Sequence, residues 1–173
     1  SSVKSDIRII VHDLRTGTTP ELGFSIKSKL GEASTLLNAG KTTNFIYKIE
    51  GVSFSEKQIN LINAIDTRSK IKDRIEKIYE LGGNLSFIMT ENSTFENNLV
   101  LIDSSLPKII SESLKIFFTS NLSKSIDLLN KVSQLNPLNF DLKSSHPFYS
   151  YKFKRFITDI ALGMMPSKVW TGQ

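Results

Sequence analysis

The stretch from Asp6 to Lys27, DIRIIVHDLRTGTTPELGFSIK, places acidic side chains and a lysine on two strand-like runs separated by a turn-rich loop. Carboxylates arranged in this way suit a hard, oxygen-preferring cation such as Mg²⁺. Such a cation polarises a phosphate and helps ionise an attacking water, while a neighbouring lysine can orient that water and offset developing charge. An antiparallel pairing of the two runs would bring Asp6 near Ser25–Ser28 despite the separation in sequence, and a period of two puts Glu21, Ser25 and Lys27 on one face. The same residues also suit an ordinary half-buried sheet edge, with Asp6 opening a strand and Glu21 and Lys27 forming a surface cross-strand pair.

These residues are positioned by the elements around them. The β-branched run Ile7–His12 and the alternating run Leu22–Ser28 flank the loop Leu14–Pro20, which predicts an antiparallel hairpin. A helix-compatible segment, Glu32–Ala39, stops at Gly40, and Asn44–Ile49 reads as a further strand ended by Gly51. Beyond Gly51 the texture becomes helical. Ser55 and Gln58 form a capping-box pattern ahead of a face carrying Ile59, Ile62 and Ile65, and Lys70–Leu81 carries Ile71, Ile75 and Ile78 before Gly82-Gly83. Leu85–Met89 has the length of a strand. Helices are expected at about Thr94–Asp103, Pro107–Ser120, Ser123–Leu135 and Pro147–Gly163, with Pro107 and Pro147 in first turns.

Composition narrows the chemistry. The 173 residues lack cysteine and contain two histidines, which removes disulfides, thiol nucleophiles and Cys-ligated metals and makes a His-rich zinc site improbable. His12 and His146 read as structural, and no glycine motif matches a P-loop or a dinucleotide fingerprint. Lys+Arg 22 against Asp+Glu 17 gives a net charge of +5, a modest bias toward a polyanionic partner. No apolar run approaches the roughly 20 residues of a membrane span, and a soluble, intracellular single domain over residues 1–173 is expected.

An acid on one strand, a hairpin, and a lysine two residues beyond the usual acid position on the next resembles the PD-(D/E)xK nuclease core, carried here by Asp6, Ser25, Ile26 and Lys27 with a serine in the acid's place. The longer string GFSIKSKLGEASTLLNAGKTTNFIYKI at 23–49, with TFENNLVLIDSSLPKII at 94–110 and HPFYSYKFKRF at 146–156, resembles the HpaII family of type II restriction endonucleases. The resemblance implies Mg²⁺-dependent hydrolysis of double-stranded DNA at a short palindromic site, within a restriction–modification system of the bacterial cytoplasm. It implies Asp6 as first metal ligand and Lys27 as the water-positioning lysine. Because a hydroxyl holds Mg²⁺ far more weakly than a carboxylate, Ser25 calls for a second acid. Glu21 is favoured over Glu32, and Asp13 is a second candidate for the first ligand. The implied fold is an α/β restriction-endonuclease-like core at 1–90, with hairpin, helix and strand in a small mixed sheet, followed by a helical part at 91–173. The chain then reads as the central piece of a longer enzyme, inactive by itself if a metal-ligating acid lies outside it. The alternative is a noncatalytic DNA-binding or interaction domain retaining the nuclease fold.

Two further clusters suit DNA. Asn38, Lys41, Thr42 and Asn44 cluster about the end of the expected helix, where they could reach base edges or phosphate; a plain helix terminus and turn accounts well for Gly40 but poorly for this density of hydrogen-bonding side chains. Lys152, Lys154 and Arg155 lie among aromatics. At helical spacing Tyr149, Phe153 and Phe156 form a core-facing stripe, and Lys152 and Arg155 share the face beside it, suited to phosphate contacts that position a protein without reading sequence. Palindromic sites favour a two-fold homodimer.

Overall fold

The computed structural model describes residues 7–10, 12, 17, 19, 21–24, 37 and 39–172. The chain divides into two compact units, residues 1–36 and 37–173.

In the first unit, β1 (Ile7–Ile10) pairs antiparallel with β2 (Glu21–Phe24), with Ile7 opposite Phe24 and Ile10 opposite Glu21. The expected hairpin is therefore present. Gly17, in the connecting loop, has φ +68°, a backbone conformation that glycine adopts without steric cost. Residues 25–28 of the expected second strand lie outside the described residues, as does most of the expected helix 32–39. Of that helix, Leu37 and Ala39 are described and are not helical.

The second unit begins with β3 (Phe45–Glu50), followed by α1 (Glu56–Asn63), α2 (Lys70–Glu80) and β4 (Asn84–Thr90), which returns antiparallel onto β3. Phe45 faces Thr90 and Glu50 faces Asn84, with an irregularity between Ile46 and Tyr47. One small mixed sheet is expected from the sequence. The described strands form two antiparallel pairs, because β4 is the hydrogen-bonded neighbour that β3 acquires among the described residues.

Local signals set the ends of these helices. Ser55 Oγ accepts from the Gln58 N–H while Gln58 Oε1 accepts from the Ser55 N–H, the reciprocal arrangement of a capping box. Helix α2 ends when the Gly82 N–H bonds Tyr79 O and the Gly83 N–H bonds Ile78 O, with Gly82 at φ +87°. A Cβ at Gly83 would lie 2.9 Å from Ile78 Cγ2 and 3.0 Å from Ile49 Cγ2, so only glycine lets the helix end lie this close to β3. Of the expected apolar face, Ile62 and Ile78 are buried with Leu85, whereas Ile59 and Ile71 remain 45% and 52% exposed. Periodicity identifies a face, but the neighbouring elements cover only part of it.

The helical half comprises α3 (Ser93–Ile102), α4 (Leu106–Thr119), α5 (Ser125–Leu135), a 3₁₀ turn at Leu142–Ser144 and α6 (Phe148–Ala161). Pro107 occupies the first turn of α4 as expected, while Pro147 precedes α6 as its N-cap. Helix α4 is central, touching α2, α3, α5, α6 and β4. Its Leu106 and Ile110 join Phe95, Leu99 and Phe156 in one cluster, and its Ile109 and Ile116 join Leu129, Val132 and Tyr149 in another. Glu112 is buried on the same helix and held by Lys108 at 3.1 Å and Lys115 at 2.6 Å. Beside it the Tyr47 hydroxyl donates to Ser111 O at 2.7 Å, tying β3 to α4, and burial, with Glu112 nearby, pushes that phenol well above its ordinary range. Past α6, the carboxamide of buried Asn98 donates to Met165 O and Lys168 O and accepts from the Trp170 N–H, fastening 165–170 to α3.

Candidate active site and nucleic-acid interface

The hairpin register decides which ends of β1 and β2 meet. Ile7 and Phe24 face each other, and they are the chain neighbours of Asp6 and Ser25. Asp6, Ser25, Lys27 and Asn38 lie outside the described residues, as do Asp13 and Glu32. Glu21 sits opposite Ile10, at the loop end of the pair. Its backbone is three residues from Phe24, roughly 10 Å along the strand at the usual rise. Among the described residues no group of three His, Asp or Glu side chains could hold a metal ion.

The segment before β3 is a turn closed by the Thr43 N–H and hydroxyl, which donate to Gly40 O at 2.9 and 3.2 Å. Lys41 and Asn44 are exposed and Thr42 is half-buried. Asn44 is also part of the scaffold: its carboxamide donates to Glu91 Oε2 at 2.7 Å, and its carbonyl accepts from the Glu91 N–H at 2.9 Å. Its Oδ1 remains as the side-chain acceptor that could face a ligand.

Helix α6 sorts its cations. Tyr149 and Phe156 are buried and Phe153 packs on both helical clusters, so the aromatic stripe does face the core. Lys152 does not share the solvent face with Arg155. Its ammonium donates to Asp103 Oδ2 at 2.6 Å and lies 5.7 Å from the centre of the Phe140 ring, with the lysine and aspartate side chains only 19% and 18% exposed. Lys154 and Arg155 are exposed and, among the described residues, have no ion-pair partner. No sequence signal linked Lys152 to Asp103, which is 49 residues away. Sequence reading gave Tyr151 no role of its own, although it is 58% exposed beside these two cations.

Burial alone would raise the Asp103 carboxyl. The hydrogen bond from Lys152, the Ser105 N–H at 2.9 Å and the lysine's charge outweigh burial and hold the carboxyl below the usual aspartate range. A depressed folded-state pKa means that the pair contributes fully above about pH 4, the range in which an unfolded aspartate titrates, and that its contribution is lost as pH falls through the lower folded value. Asp103→Asn is therefore expected to lower the melting temperature at pH 7, by on the order of 2 kcal/mol of stability for a charged hydrogen bond. The same variant should flatten the decline of stability as pH falls below about 4, and equal acid slopes in thermal melts of the two proteins would dismiss this role.

The family described as HpaII restriction endonuclease matches residues 1–173. Among curated proteins, the "Type II restriction enzyme HpaII" of Haemophilus parainfluenzae is 51% identical over 173 residues, an alignment covering 100% of this chain and 47% of the relative. The chain thus spans about half the length of the curated relative it matches. No solved structure matches it significantly. With every residue of the chain inside the family match and half of them identical to a member, the chain belongs to the HpaII restriction endonuclease family.

Proposed function

We propose that this protein is the catalytic and DNA-contacting part of a type II restriction endonuclease, hydrolysing double-stranded DNA at a short palindromic site with Mg²⁺. The observation that carries this reading is the unbroken match to the family, which runs through the GFSIK segment. The hairpin supports it, because the β1–β2 register puts the chain neighbours of Asp6 and Ser25 opposite each other. In this reading the hairpin belongs to a restriction-endonuclease-like core.

The donor set fits Mg²⁺ in kind, since hard carboxylate oxygens are its preferred protein ligands. Asp6 is assigned as the first ligand, with Glu21 as the second acid in place of the neutral Ser25. When bound, the metal supplies charge for the phosphate and a more acidic water. Lys27 positions the attacking water and holds a positive charge where negative charge develops on the phosphate. Asn38, Lys41, Thr42 and Asn44 are assigned to the DNA side of the turn before β3, and Lys154 and Arg155 to phosphates. A palindromic site matches a two-fold homodimer. A DNA substrate places the protein in the cytoplasm, and among the described residues no helix is long and apolar enough to cross a membrane.

The test is incubation of the purified protein with a mixed-sequence duplex several kilobases long, in Mg²⁺ or in EDTA. Discrete fragments in Mg²⁺ and intact DNA in EDTA are expected. Tight binding without cleavage by the intact enzyme at any Mg²⁺ concentration would replace this reading with a noncatalytic DNA-binding domain.

A further inference from the structure

Tyr151, Lys154 and Arg155 stand at i, i+3 and i+4 on α6, and helical spacing puts them on one face. With Thr158, Asp159 and Leu162 they line a shallow groove of about 340 Å³. The polar groups of this groove differ in what they can offer a ligand. The Thr158 hydroxyl donates to Lys154 O at 2.9 Å, and Asp159 Oδ1 accepts from Trp170 Nε1 at 3.1 Å, so both are engaged within the protein. The ammonium of Lys154, the guanidinium of Arg155 and the hydroxyl of Tyr151 have no partner among the described residues. All three are donors to an anion, and they span about 6 Å of helix, the scale of one to two nucleotide steps along a strand.

We propose that this ridge of α6 grips the phosphate backbone of duplex DNA, with Tyr151 as a third phosphate donor beside Lys154 and Arg155, and that Lys152 is a positioning residue. The inference rests on the endonuclease reading, in which the partner is DNA. Lys152 acts through Asp103: the pair pins α6 beside the start of α4, leaving Tyr151, Lys154 and Arg155 toward solvent.

Salt dependence separates the two roles, because each phosphate contact made by a cation releases condensed counterions while a neutral donor or an internal ion pair does not. Affinity for a 30-base-pair duplex of mixed sequence, in Ca²⁺ over a series of NaCl concentrations, is measured for the protein and for Lys154→Gln, Arg155→Gln, Tyr151→Phe and Lys152→Met. Lys154→Gln and Arg155→Gln should each reduce the slope of log affinity against log salt by about one. Tyr151→Phe should weaken binding several-fold with the slope unchanged, because it deletes only the hydroxyl. Lys152→Met should lower the melting temperature and leave the slope at the wild-type value, with Lys152→Arg restoring part of the stability. If Lys152→Met lowers the slope while Lys154→Gln and Arg155→Gln do not, the assignment is overturned. Wild-type binding that is untouched by all of the ridge variants overturns the ridge but leaves the endonuclease reading standing. Wild-type protein that neither binds nor cuts duplex DNA overturns both.

Discussion

Lys27→Ala is expected to abolish cleavage, lowering turnover by roughly 100- to 1,000-fold, the usual loss when a single preorganised charge-stabilising group is removed. The mutation deletes a charge beside the phosphate undergoing attack, so the loss falls on the chemical step. Binding of duplex DNA in Ca²⁺ should remain largely unchanged, because the remaining cations still meet the backbone. Single-turnover cleavage with enzyme in excess, alongside binding in Ca²⁺, separates the two effects. A Lys27→Ala protein that cuts at the wild-type rate removes this residue from the mechanism. One that loses binding and cleavage in parallel makes it a DNA contact instead. Lys27→Arg keeps the charge but not the compact ammonium, and should recover little activity if orientation of the water matters.

The second large effect concerns the acids. Asp6→Ala should raise the Mg²⁺ concentration needed for half-maximal cleavage by an order of magnitude or more, as removal of one of the one or two carboxylates that usually hold this ion would. Glu21→Ala should raise it less, because the Glu21 backbone lies opposite Ile10, three residues from the end of the pair where Ile7 meets Phe24. Ser25→Asp restores an acid at the usual position for this core and should relieve the deficit of Glu21→Ala in the double variant. Mg²⁺ titrations of cleavage by the four proteins decide the matter. If Glu21→Ala titrates like wild type while Glu32→Ala shows the deficit, the second acid belongs to Glu32. If Ser25→Asp fails to rescue Glu21→Ala, the two positions do not serve one metal.

What the sequence determined by itself is whatever acts within a turn or two of chain. The Ser55–Gln58 box starts α1 because both partners lie within one helical turn, and Gly82-Gly83 ends α2 because the closing bonds return to Tyr79 and Ile78. The β1–β2 hairpin follows from β-branched residues on either side of a glycine- and proline-bearing loop. The inward stripe of Tyr149, Phe153 and Phe156 follows from the helical period, and family membership was legible in long strings such as residues 23–49. Tertiary structure alone decided which distant partners meet. The pairing of β3 with β4 joins residues more than thirty positions apart across two helices, and Asn98 fastens a segment some seventy residues later. The three neighbouring cations of α6 illustrate the difference most clearly. Helical spacing groups Lys152 with Arg155, yet Lys152 is drawn inward by Asp103 while Lys154 and Arg155 face water. Burying an ammonium is costly unless a carboxylate is already fixed within reach, and only the packing of α6 beside the start of α4 puts one there.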